Sequence, residues 1–191
     1  MKEYVNIHTH HPTGRHVEPQ GIGTHPWDAA RKAECVEVFN EAQLIGEIGL
    51  DYSTDIDRNI QEQVFRRQLL QAQTRNLPVV LHCVKAFEPT IKILSDYKLK
   101  AVIFHGFIGS EQQAAEALRR GYYLSFGPNV LRSPKSIKAL NSCQLEQLFI
   151  ETDESNITIE EMYAEIARLR GVDVAILASK IIENYKQIFN I

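Results

Sequence analysis

The sequence predicts an α/β fold in which a parallel sheet closes into a β/α barrel, and three observations lead there. Apolar strand-like runs alternate with amphipathic helical stretches along the whole chain, the pattern of a parallel sheet with helices outside. Histidines and carboxylates close these runs one after another, and donors from both ends of the chain can meet only if the strand ends share one mouth. A closed barrel provides that mouth, whereas an open doubly wound sheet gathers only the loops at its switch point. Finally, 191 residues with 44% apolar content suffice for one core and are few for two, so a single domain over residues 1–191 is expected.

In chain order, Tyr4 to His8 reads as a short strand ending in His8-Thr9-His10, and the period of two sends both histidines to one face. Pro12, Gly14 and Pro19 make residues 11–20 a loop, with Arg15 and His16 on it. Gly21 to Trp27 is a strand carrying His25, and Asp28 is placed to cap a helix reaching about Ala42 through Ala29, Ala30, Ala33, Val36 and Phe39. The next strand, Leu44 to Leu50, holds Glu47 among apolar neighbours, where an uncompensated charge would cost several kcal/mol. A helix from about Asn59 to Asn76 turns Ile60, Val64, Leu69, Leu70 and Ala72 inward and leaves Arg66, Arg67 and Arg75 solvated.

Leu77 to Cys83 is an almost continuous apolar run containing His82, as a strand covered on both faces requires. A helix over about Ala86–Tyr97 precedes the run Ala101 to His105, and Ser110 caps the next helix. Strands Tyr122 to Phe126 and Gln147 to Thr152 flank a helix from about Pro134 to Leu140, and the last strand closes on Asp153. Two helices finish the chain, about Thr158–Arg170 and from an Asp173 cap to Phe189. Seven strands are counted in all.

The formal charge of −3 gives no global attraction to nucleic acid or anionic membrane, so polyanion binding needs a local site. Three widely spaced cysteines, Cys35, Cys83 and Cys143, with no CxxC suggest neither a disulfide framework nor a zinc knuckle, and fit a reducing cytoplasm. Cys83 reads as a small buried apolar residue. No secretory leader and no run of roughly 20 apolar residues is seen, so a soluble protein without a membrane partner is expected.

One imidazole at a strand end is more often structural than a ligand; their recurrence on successive strands is what points to metal. His8, His10, Glu47, His82, His105 and Asp153 form a nitrogen and oxygen donor set suited to zinc, manganese, magnesium or a related divalent ion. Six protein ligands exceed what one open catalytic site uses. With Glu47 bridging, they divide into His8, His10 and Asp153 on one ion and His82 and His105 on a second, about 3.5–4 Å away. A carboxylate suits the bridge because it can offer one oxygen to each ion. Two divalent ions against two carboxylates leave a local charge of about +2, enough to draw an anionic ester to a negative protein. The chemistry is metal-assisted hydrolysis, with Asp153 orienting the water or taking its proton.

His8-Thr9-His10, Gly23-Thr24-His25-Pro26, Gly46-Glu47-Ile48-Gly49-Leu50-Asp51-Tyr52, Leu81-His82, His105-Gly106-Phe107, Glu151-Thr152-Asp153 and the stretch from Asn184 to Phe189 occur in an order that resembles the TatD-related deoxyribonucleases of the amidohydrolase superfamily. The resemblance implies a TIM-type barrel, two divalent metal ions bridged by Glu47, Asp153 acting on the water, and phosphodiester hydrolysis on DNA, often exonucleolytic. This chain is a shortened version of that pattern. Only about ten residues join the first two strands, where the family carries a helix, a strand and a second helix, so the barrel is distorted or seven-stranded. An edge left open there would need covering, and monomer and homodimer both stay open. Val84-Lys85 stands where the family commonly has an arginine, and Glu154-Ser155 follows the aspartate in place of proline. The arginine-bearing loop after it is missing.

Basic and aromatic residues ring the expected mouth: Arg15, His16, His25, Trp27, Tyr52, Lys85, Phe107, Arg132 and Lys135. Of these, His25, Lys85, Trp27 and Phe107 are the candidate contacts to phosphates and bases. Asp51 reads as a supporting residue. Two alternatives stand beside a deoxyribonuclease: hydrolysis of a small phosphoester, amide or lactone, which the short loops suit, and a degenerate barrel that only binds.

Overall fold

The computed structural model describes residues 4–32 and 42–191. They fall into two compact units, one formed by the chain up to Pro19 together with His105–Ile191, the other by Gln20–Phe104. The helix expected after Asp28 lies largely outside the described residues, as does Cys35.

The second unit contains strands β1 (Gly21–Ile22), β2 (Leu44–Asp51), β3 (Val79–Val84) and β4 (Val102–Phe104), all parallel and paired in that order. Helices α1 (Arg58–Arg75) and α2 (Phe87–Leu94) connect them. Ile45, Ile48, Leu50, Val79, Leu81 and Ile103 are buried between the strands and helices, with Phe65 and Leu69 of α1 against them. Each such side chain contributes about 1.5–3 kcal/mol.

The pairing of β2 with β3 slips once. Ile45 faces Val79 and Ile48 faces Leu81, so Gly46 and Glu47 together oppose the single residue Val80. An extra residue in one strand re-aims a side chain out of the regular alternation, and here that side chain is Glu47. Gly46 is needed at the slip because a Cβ there would lie 2.8 Å from the Val80 carbonyl oxygen. Gly49 lies at φ +141°, and a Cβ on it would fall 2.0 Å from the His82 carbonyl oxygen. The glycines of the Gly-Glu-Ile-Gly run therefore permit the close approach of the two strands that carry Glu47 and His82.

Helix α1 starts on Asp57, whose side chain accepts from the Asn59 and Ile60 amides, and ends at a left-handed Asn76. Its buried face comprises Gln61, Val64, Phe65, Gln68, Leu69 and Ala72, whereas Leu70 is half exposed, correcting its expected inward place. Two glutamines occupy that face because they serve the ends of strands. Gln61 accepts from the Asp51 amide at 2.8 Å and donates to the Asp51 and Ile56 carbonyls. Gln68, seven residues on, accepts from the Thr24 amide and donates to its carbonyl. A hydrophobicity pattern reads glutamine as surface; here both are almost wholly buried.

The expected strand through Trp27 stops at Ile22, and a 3-10 turn over Pro26–Asp28 replaces its end. Pro26 has no N–H to continue a ladder. The His25 ring caps the turn by accepting from the Trp27 amide, and Asp28 pairs with Arg31 at 2.9 Å while its carbonyl accepts from the Lys32 amide; the helix it is expected to cap lies largely outside the described residues.

In the first unit β5 (Tyr123–Phe126) pairs in parallel with β6 (Leu148–Ile150). The helices are α3 (Glu111–Arg119), α4 (Pro134–Ser142), α5 (Ile159–Arg170) and α6 (Val174–Phe189). Ser110 with Gln113, and Thr158 with Glu161, form reciprocal caps at the starts of α3 and α5. Asn184 on α6 donates to the Leu145 and Leu148 carbonyls and so ties that helix to β6.

Residues 4–9 make no regular strand among the described residues, but they are extended and paired at single bridges, Val5 with Val17 and Thr9 with Asp153. The loop over residues 11–20 thus contributes one strand-like residue. Buried Tyr163 of α5 accepts from the Val5 amide and donates to its carbonyl, and Asn6 exchanges hydrogen bonds with Thr152. The Asp153 amide then donates to the His8 carbonyl, and the His10 amide to the Asp153 carbonyl. These contacts set the His-Thr-His run in register with the end of β6. No helix among the described residues is long and apolar enough to cross a membrane.

Candidate metal centre

Each unit gathers imidazoles and carboxylates at strand ends. In the first, His8 and His10 both point Nε2 at Asp153 Oδ1, at 3.6 and 3.4 Å. These separations are too long for good hydrogen bonds. They match the ~3.4 Å between two ligands that sit ~2.1 Å from one tetrahedrally coordinated ion. Asp153 reaches this place from a left-handed backbone, φ +54°, and one of its oxygens lies with a ring nitrogen from each of the two histidines in a group of donor atoms all within 4.8 Å of one another.

His105 lies in the same unit, its ring 4.5 Å from that of His8. Its Nδ1 is 3.2 Å from Oε1 of Glu151, which also accepts from the Gly106 amide at 2.7 Å. A carboxylate on one ring nitrogen fixes the ring and directs the other nitrogen to a metal. Glu151 is fully buried, and its Oε2 makes no hydrogen bond among the described residues. Sequence pattern alone assigns chemistry to Asp153 of the Glu-Thr-Asp run and none to Glu151. The signal was there: Glu151 ends the apolar run Leu148–Ile150 and shares the parity of Asp153, the same puzzle of a carboxylate in an apolar strand that singled out Glu47.

The second unit assembles His25, Glu47 and His82. His82 lies between two carboxylates, Nδ1 at 2.7 Å from Glu47 Oε1 and Nε2 at 3.1 Å from Asp51 Oδ2. A neutral imidazole has one N–H and can satisfy only one of them. The second contact brings two acceptors together and needs a cation between them, either a second proton or a metal ion. Asp51 takes the Nε2 proton and leaves the Nδ1 lone pair facing Glu47, a nitrogen and oxygen pair whose chemistry fits a divalent ion, which would hold the two donors further apart than the 2.7 Å hydrogen-bond distance between them.

His25 behaves differently. Its Nδ1 accepts from the Trp27 amide at 3.2 Å, so in the neutral ring the proton is on Nε2, which lies 3.4 Å from Glu47 Oε1. His25 is therefore an N–H donor beside the cluster and a poor ligand within it. Asp51, nearly inaccessible, holds the arrangement together. Burial pushes its carboxyl up, but hydrogen bonds from Ser53, Trp27 and His82 outweigh this and hold it down at about 2. It stays a carboxylate throughout the physiological range.

The expected substrate contacts are divided by their exposure. Trp27 is 60% exposed, its Nε1 donating to Asp51 Oδ2 at 2.8 Å. Lys85 is exposed just beyond β3, at φ +51°. Phe107 does not stand on a rim: it is 6% exposed, with its ring edge-on to buried Phe126, because the residue after Gly106 turns back onto β5 through the Ser125 carbonyl. His16 is likewise buried and bonded to Glu160, and Tyr52 donates to Glu62 under the Arg58 guanidinium.

The family model described as TatD related DNase matches residues 19–190. A Bacillus subtilis relative, the uncharacterized metal-dependent hydrolase YabD, is 32% identical over 89% of this chain and 76% of its own length. Human deoxyribonuclease TATDN3 is also 32% identical, over 81% of the chain but only 62% of its own length. The Escherichia coli K12 3'-5' ssDNA/RNA exonuclease TatD is 27% identical over 88% of the chain and 76% of its length. Among solved structures, a TatD homologue from Escherichia coli K12, YJJV, superposes with a TM-score of 0.77 at 23% identity, over 91% of this chain and 77% of that one. A TatD family hydrolase from Entamoeba histolytica gives 0.77 at 17% identity, over 91% and 75%. The fold class is α/β of the TIM-barrel type. Motif order, donor chemistry, family match and fold agree, and the chain belongs to the TatD-related DNase family of metal-dependent hydrolases.

Proposed function

We propose that this protein hydrolyses phosphodiester bonds of DNA, working from strand ends, with two divalent ions held by His8, His10, Glu47, His82, His105 and Asp153. The observation that carries the reading is His82 caught between the Glu47 and Asp51 carboxylates, an arrangement that a cation completes. Zinc, manganese and magnesium all suit the donors. The count of two ions and the bridging by Glu47 rest on a donor set too large for one open site and on the family resemblance. When bound, such ions polarise a phosphoryl oxygen and bring a water toward neutral pKa.

The protein's own groups supply the rest. Asp153, one oxygen facing both His8 and His10, is a proton acceptor for the attacking water. His25 presents an Nε2–H that can donate to a phosphate oxygen, and Lys85 adds a positive charge beyond β3. Glu151 and Asp51 hold the His105 and His82 rings and leave the reacting atoms to others. The curated relatives named as a deoxyribonuclease and a ssDNA/RNA exonuclease favour DNA over small esters.

The test pairs metal analysis with a substrate screen. Purified protein should carry about two divalent ions, lose them to a chelator, and release mononucleotides from labelled single-stranded DNA when they are restored. Turnover of bis(p-nitrophenyl) phosphate alone, with DNA left intact, would favour the small-ester alternative. A metal-free, chelator-insensitive preparation would leave only a binding role.

A further inference from the structure

We infer that Trp27 is the base-stacking platform of this site, so that the substrate is a strand whose terminal base is unpaired. The inference rests on the reading of DNA as substrate and adds what the chain recognises on it. Trp27 is the sole tryptophan of the sequence and, at 60% exposure, one of the most open large apolar side chains described. An exposed indole usually keeps its N–H in water and its rotamers free. This one has neither freedom. Nε1 donates to Asp51, whose carboxylate is itself fixed by Ser53 and His82, and the ring stands perpendicular to His25 with centroids 4.7 Å apart.

An immobilised aromatic surface loses little entropy when a second ring stacks on it, which is the condition for strong base stacking. Its position is what relates it to catalysis. The indole centroid lies 6.1 Å from that of His82, and both side chains hold the same oxygen of Asp51. A base on Trp27 would therefore sit next to the cluster, with its phosphate toward the His25 Nε2–H and the metal ligands. Stacking does not depend on which base is present, because every base has a π face. A base within a duplex has both faces covered by its neighbours and would first have to leave the stack. The platform selects unpaired ends and tolerates any sequence.

Because Trp27 is the sole tryptophan, its emission reports on this site directly. Metal-loaded protein is titrated with a phosphorothioate oligothymidylate, which resists cleavage, and with an abasic oligomer of equal length and charge. We expect saturable quenching by the first and none by the second, with the base-bearing strand bound on the order of 10- to 100-fold more tightly. Anisotropy of labelled strands extends the comparison to variants. Trp27→Ala should bring the two affinities to within about twofold, whereas Trp27→Phe, which keeps a ring and loses the Asp51 bond that holds it, should show an intermediate preference. Far-UV circular dichroism and thermal melts of both variants verify folding. Unchanged emission at saturation, or an undiminished preference in Trp27→Ala, would overturn the platform. Quenching without hydrolysis of any DNA would support the platform and remove the nuclease reading. Equal hydrolysis of base-bearing and abasic strands without quenching would do the reverse.

Discussion

Replacing Gln61 tests whether the geometry of the candidate metal ligands in this unit is held from behind by a helix. Its amide makes the bonds that the end of β2 lacks. Tyr52 N–H already donates to the Val84 carbonyl, so the Asp51 N–H points away from β3, and the Gln61 oxygen meets it at 2.8 Å. The Gln61 NH2 spans the Asp51 and Ile56 carbonyls, at 2.9 and 3.0 Å. Gln61→Met keeps the length and the burial of the side chain and deletes these three bonds together with the longer one, 3.4 Å, from the amide to the Thr54 hydroxyl. A buried N–H left unsatisfied costs about 1–3 kcal/mol, and the two carbonyls add a smaller amount because Asp51 O keeps the Thr54 hydroxyl. The expected loss is about 2–4 kcal/mol, or about 4–16 °C in Tm for a chain of this size.

Urea and thermal unfolding of Gln61→Met and Gln61→Ala measure it, and the difference between the two isolates packing from hydrogen bonding. A second readout follows from the chain of contacts. Asp51 anchors both Trp27 and His82, so Gln61→Met should also shift Trp27 emission to the red and weaken metal binding several-fold. A stability loss below about 0.5 kcal/mol, or unchanged emission and metal affinity despite the loss, would refute the reasoning.

Four further outcomes are expected. Asp153→Asn should keep the melting temperature within a few degrees while turnover falls at least about 100-fold, as expected on removing a proton acceptor; steady-state assays on single-stranded DNA would reveal full activity if the assignment is mistaken. Glu47→Gln should lower the content of both ions together, whereas His82→Ala should mainly lower one, and metal analysis after gel filtration separates these results from equal loss of a single ion. Gly49→Ala should cost about 4 kcal/mol or more, or yield no folded protein, because the new methyl would meet the His82 carbonyl at 2.0 Å on a backbone at φ +141°; a variant that melts like the parent would show that the strands can part. Burial pushes the Cys143 thiol from 9.0 up to about 12, so the fold favours the neutral thiol. The associated stability is intact below pH 9 and declines as pH rises toward 12, and Cys143→Ala should flatten that alkaline decline in pH-dependent melts.

The candidate donors stand out in the sequence because metal chemistry demands particular side chains, and a strand's period of two fixes which of them share a face. His8 and His10 could be placed together from their spacing alone, and the helix caps at Ser110 and Asp173 followed from local hydrogen-bonding rules that need no tertiary context. What stayed hidden depends on partners distant in sequence. Gln61 and Gln68 are polar residues in the core because strand ends elsewhere offer them backbone groups, and a hydrophobicity pattern cannot register that exchange. Phe107 was misplaced for the opposite reason: an aromatic beside a ligand looks like a stacking surface until the turn at Gly106 sends its ring inward. Glu151 shows most plainly what such a reading should include. A fully buried carboxylate in an apolar strand requires a compensating group whether or not it is itself a ligand, and Glu151 has a histidine and a backbone amide on one oxygen. Asp51 compensates His82 in the same way in the other unit. In both, a carboxylate that takes one ring proton orients a histidine, so the donor chemistry of His82 and His105 rests on Asp51 and Glu151 as much as on the imidazoles themselves.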